Sequence, residues 1–121
     1  MTKKYKLKDA KEYVGKLEGT RSLEAIDYVQ FSRALKVFAN NNDQENFKKA
    51  SEKYFQLAKG CGNEALIKES YSLLEGICLA VDTLYMDGYP EIRRKKAKEG
   101  SATKLLRKLY PQEEKEVHIY W

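Results

Sequence analysis

Eight cations crowd one short stretch of this chain: Arg93, Arg94, Lys95, Lys96, Lys98, Lys104, Arg107 and Lys108. Between residues 91 and 108 only Glu91 and Glu99 oppose them. Closely spaced Lys and Arg side chains supply the point charges and forked donors that hold phosphate oxygens. Tyr89 and Tyr110 flank the stretch, and an aromatic ring beside a cationic track can stack on an unpaired base. The chemistry implied is binding of RNA or a nucleotide, with Arg93, Arg94, Lys95, Lys96, Lys104, Arg107 and Lys108 as phosphate contacts. A solvated helix face is the plainer reading of the same residues. The 121-residue chain carries a net charge of +5, less than the surplus of this block alone.

Residues that could do covalent or acid–base chemistry are few. His118 is the single histidine, so no His pair and no HExxH zinc motif exist. No GxxxxGK[ST] or GxGxxG phosphate loop is present, and no cofactor or metal is expected. Cys61 lies between Gly60 and Gly62, just before a helix start where a thiolate is favoured, although a free loop cysteine is the commoner case. Cys78 falls on an apolar stripe and reads as a small core residue. Two cysteines make no disulfide scaffold. Glu75 sits beside that stripe, either as a buried carboxylate or, more simply, at the stripe edge paired with a surface lysine. Lys68 and Glu69 form the polar edge of the same segment.

These residues hang on helices. The strongest signal is Asn63 to Tyr85, where Leu66, Ile67, Tyr71, Leu74, Ile77, Cys78, Val81, Leu84 and Tyr85 keep the i, i+3, i+4, i+7 spacing. Leu73 and Ala80 add a second apolar line, so the segment reads as the middle of a bundle. Asn63 is a good N-cap, and Asp87-Gly88 before Pro90 a good stop. A helix over residues 43–59 precedes it, opened by Asn42 with Glu45 three residues on as a capping box. Gly60-Cys61-Gly62 leaves so short a connection that residues 43–59 and 63–86 must form an antiparallel hairpin. Helix-like stripes also run over residues 7–17, with Gly19 as stop, and from Ser22 to Ala39.

Beyond the hairpin, residues 91–98 read as a short basic helix or turn. Gly100 breaks it, and Ser101 is placed to cap a segment 102–110 with Leu105, Leu106 and Leu109 on its apolar side. Pro111 suits the first turn of a last acidic helix over 112–116. Val117, Ile119 and Trp121 alternate, which fits a docked tail or a short strand. The expectation is therefore an all-α protein, a compact bundle of about five helices around the 43–59/63–86 hairpin, forming one domain over residues 1–121 with 1–6 outside the ordered part. A hydrophobic content of 42% supports one core. The basic N-terminus has no apolar run, and no window is apolar enough to span a bilayer. A cytoplasmic protein without membrane contact is expected.

The helix ending LAKG and the following IKESYSLLEGICLAVDTLY resemble the central hairpin of the HEPN superfamily. Gly100–Leu109, GSATKLLRKL, is similar to the segment after its variable loop, and VHIYW to the aromatic, His-containing end of archaeal members. The resemblance covers residues 47–121. It implies a bundle of four or five helices, often a homodimer, in toxin–antitoxin, defence or nucleotide-binding settings. Active members are metal-independent endoribonucleases with an Arg-x(4–6)-His motif, the His acting on the ribose 2′-hydroxyl and the Arg on the phosphorane charge. Here ten residues separate Arg107 from His118, and Ser101 or Ala102 stands where His is frequent. A binding-type member without enzymatic activity is the expected reading, acting on RNA, a nucleotide or a protein partner through residues 93–108. Two rivals remain: a ribonuclease toxin using His118 with Arg107, and a protein–protein adaptor or viral or defence-system inhibitor, to which nine tyrosines lend general support.

Overall fold

The computed structural model describes residues 5–84 and 100–112. Five α-helices account for most of them: α1 (Leu7–Glu18), α2 (Tyr28–Asn40), α3 (Gln44–Lys59), α4 (Glu64–Leu84) and α5 (Ser101–Leu109), with a short 3-10 helix at Leu23–Ala25. No strand occurs among the described residues, and the all-α bundle expected from the periodicity is present. Each helix buries one stripe, such as Ala10, Tyr13, Val14 and Leu17 of α1 or Phe31, Ala34, Leu35 and Phe38 of α2. Together they form one apolar cluster in which Phe31, Phe38 and Phe47 are fully enclosed.

The α3–α4 hairpin forms as its spacing predicts. Gly62 takes a φ of +78°, a left-handed conformation that glycine adopts without a Cβ penalty. Asn63 Oδ1 then accepts the amides of Ala65 and Leu66 at 3.0 and 3.3 Å, which caps α4. The helix that touches all four others, however, is α2. Its start differs from expectation. Ser22 opens the 3-10 turn instead, and α2 begins at Tyr28 because the Asp27 carboxylate accepts the Gln30 amide at 3.2 Å. Likewise Asp43, not Asn42, caps α3 by accepting the Asn46 amide, while Asn42 turns the chain at φ +53°.

The fifth helix is held by a partner far away in sequence. Asp82 of α4 is fully buried, and one of its oxygens receives Lys36 Nζ from α2 at 2.7 Å. Its carboxylate also accepts the backbone amides of Ala102 and Thr103, at 3.3 and 2.9 Å, and the Thr103 hydroxyl at 2.6 Å. These are the open amides of the first turn of α5, so Asp82 is an N-cap supplied across the bundle. Ser101, expected as the cap, instead gives its hydroxyl to Asn40 at 2.7 Å, and Gly100 occupies the cap position. Gly100 lies so close to the carboxyl of Asp82 that any Cβ there would collide with it.

Replacing Asp82 by Ala strands Lys36, whose side chain is only 13% exposed, and frees two helix amides. The expected loss is roughly 3–5 kcal/mol. Gly100→Ala should cost about 1–3 kcal/mol by forcing α5 off α4. Urea unfolding of both variants checks this, and midpoints within error of wild type would contradict the assignment.

Candidate functional site

Helix α5 divides its surface cleanly. Ala102, Thr103, Leu105 and Leu106 are buried, while Lys104, Arg107 and Lys108 stand exposed at i, i+3 and i+4 on the opposite side. Three of the seven expected phosphate contacts therefore share one solvent face. Arg107 gives its Nε to Glu75 of α4 at 3.0 Å, and Glu75 is the more shielded partner. The expected stripe-edge position of Glu75 is thus observed, with an arginine across the helix interface as partner instead of a lysine. Because the bond uses Nε, the outer guanidinium nitrogens have no partner among the described residues and can still reach an anion. Arg107 and Lys108 also lie in the last turn, where cations favour the helix dipole.

The remaining expected residues divide into two groups. Tyr89, Arg93, Arg94, Lys95, Lys96 and His118 lie outside the described residues, as do the helices expected at 91–98 and 112–116 beyond Gln112. Tyr110 is described, and its ring packs edge-on against Phe55 with centroids 5.3 Å apart, its hydroxyl buried. That packing places one edge of the half-buried ring against α3. Lys68 and Glu69 are exposed on the first half of α4, Cys61 is exposed in the hairpin turn, and Cys78 is a fully enclosed core thiol that burial pushes upward in pKa. Among the described residues no cluster of His, Cys, Asp and Glu is arranged to hold a metal, and no helix is long and apolar enough to cross a membrane.

Two features were not legible as sites. Lys36 and Asp82 looked like ordinary members of helix faces; only the position of Asp82, next to Val81 and four residues after Cys78 on the buried stripe, hinted at its burial. The second is a half-open groove of about 980 Å³ between the 3-10 turn, α3 and the first half of α4. Its walls include Tyr28, Tyr54, Leu57, Leu66, Leu73 and Ile77. Leu73 at this groove is 37% exposed, and two further apolar residues assigned to the core of α4 are open elsewhere: Ile67 is 37% exposed and Leu84 72%. Comparison with protein-family models, with curated proteins and with solved structures finds no match for this chain.

Burial lifts the phenols of Tyr5, Tyr13 and Tyr110 to about 12, with the carboxylates of Asp9, Asp27 and Glu52 respectively adding to the effect. The unfolded chain ionises the same groups near about 10. The folded state holds these protons longer, so the stability they confer is complete below pH 10 and is lost as pH climbs toward 12. Ultraviolet titration of the nine tyrosines should resolve a late class near pH 12 that shifts to about 10 in denaturant. A single class near 10 in the folded chain would contradict the packing of Tyr110.

Proposed function

We propose that this chain is a non-catalytic, HEPN-like helical module that binds RNA through the basic surface centred on α5. The observation that carries the reading is the exposed Lys104–Arg107–Lys108 stripe, fixed to the bundle by the Asp82 cap and the Glu75–Arg107 bond. A cation stripe on a helix that cannot swing presents phosphate contacts at fixed spacing, which lowers the ordering cost of binding. The sequence just before α5 adds Arg93, Arg94, Lys95 and Lys96 in chain order. Recognition of this kind is carried by the phosphate backbone and depends on salt. Lys36 takes no part in it, because its ammonium is committed to Asp82.

Binding of a short single-stranded RNA, measured at several salt concentrations, tests the proposal. The Lys104→Ala/Lys108→Ala double variant removes two exposed cations and should reduce the salt slope by about 1.4, weakening affinity alike across sequences. Replacing Arg93, Arg94, Lys95 and Lys96 by Ala should have a larger effect in the same direction. Equal affinity and equal slope for all three proteins would sink the reading.

A further inference from the structure

The apolar groove does not end at the walls named above. A second hollow of about 380 Å³ shares Arg21, Gln56 and Leu57 with it, and a third of about 430 Å³ shares Lys53 and Gln56 with the second and extends to Lys49 and Glu52. The three form a trough along one side of α3. Glu52, at its far end, is close enough to raise the phenol of Tyr110, which packs on the neighbouring flank of α3 against Phe55, two residues before the described chain stops at Gln112. From Glu52 to Gly60, α3 rises only ~12 Å, whereas nine further residues can span ~30 Å.

We propose that this trough receives the chain's own residues 113–121, with Val117, Ile119 and Trp121 in the apolar groove. The order of residue types matches the order of surfaces. The segment reads Glu113-Glu114-Lys115-Glu116 and then Val117-His118-Ile119-Tyr120-Trp121. Leaving Tyr110, it meets first the mixed-charge hollow, where Lys49 and Lys53 accommodate its acids and Glu52 its lysine, and then the apolar walls. Those charged pairs are exposed and contribute little. Register comes from the alternation, since Val117, Ile119 and Trp121 share one face of an extended segment and Tyr28, Leu66, Leu73 and Ile77 offer the surface to bury it.

Trp121 is the only tryptophan, so its fluorescence in the full-length chain reports the segment directly. The emission should be blue-shifted, and the acrylamide quenching constant several-fold below that of free tryptophan amide and independent of protein concentration. Leu73→Asp, at a groove wall that is 37% exposed, should raise the constant toward the free value with unchanged far-ultraviolet circular dichroism, whereas Val29→Asp, 62% exposed and outside the groove, should not. A readout that leaves the groove walls unaltered uses Cys61, which lines the groove, while Cys78 is buried and unreactive. A bimane attached there should be quenched by Trp121 and brighten in Trp121→Phe. Quenching of Trp121 like the free amide overturns the proposal. So does protection that neither Leu73→Asp nor the bimane detects, which places the segment elsewhere. Protection that grows with protein concentration overturns it in favour of a second copy's segment.

Discussion

Asp82 sits without solvent where α2, α4 and α5 meet, the only charged side chain that is fully buried among the described residues. A bare carboxylate in that place would cost several kcal/mol in lost hydration. It is tolerated because every direction is answered: Lys36 supplies the counter-charge, and two amides and a hydroxyl of α5 supply donors. The arrangement is mutual. The first turn of α5 has open amides that water cannot reach, since Ala102 and Thr103 are buried, and Asp82 is the group that satisfies them. A nine-residue helix is too short to be stable alone, so α5 exists because it docks, and it docks at one register because one carboxylate fits its end.

That constraint gives the basic stripe its meaning. Lys104, Arg107 and Lys108 on a free nine-residue peptide would sample many directions. On a helix pinned at its N-terminus by Asp82 and at its last turn by Glu75, they face one way. The two anchors act differently. The Asp82 contacts are dry and decide whether the helix is there. The Glu75–Arg107 bond is half in solvent and contributes little to stability, yet it orients the guanidinium. A buried ion pair is not by itself a sign of high stability, and a well-packed apolar set in its place could hold the bundle as firmly. What such a set could not do is cap a helix, and through the cap fix the direction of three cations.

What the sequence made legible follows from periodicity. Stripes of i, i+3, i+4 spacing located five helices, and Gly60-Cys61-Gly62 with Asn63 located the hairpin, because both signals are local. Two of the errors are also local competitions. Ser22 and Asn42 are respectable caps, but Asp27, five residues on, and Asp43, the next residue, won, since a carboxylate at a helix N-terminus gains from the dipole as well as from the hydrogen bond. Ser101 lost to a group 19 positions earlier in the chain, which no window around residue 101 contains. The Lys36–Asp82 pair, 46 residues apart, was invisible for the same reason. Periodicity tells which face is apolar; it does not tell how much of that face a neighbour will cover.

The groove is the outcome of that last point. With 21 residues, α4 runs ~31 Å, while α5 with nine covers only ~13 Å of it. Since α5 is fixed at Asp82, near the end of α4, its cover falls on the second half, where Leu74, Cys78 and Val81 are buried. The first half keeps α3 on one side and only the 3-10 turn and Tyr28 across a gap on the other, so Leu66 and Leu73 face an opening, as Ile77 does at its inner end. That opening lies across α4 from α5, since Leu66, Leu73 and Ile77 share one side of the helix and Glu75 and Asp82, which hold α5, lie about half a turn away. The contacts that secure the basic face therefore leave the apolar one untouched: Asp82 and Glu75 set the direction of the charged surface, and the spacing of α3 and the 3-10 turn from the opposite side of α4 sets the extent of the open one.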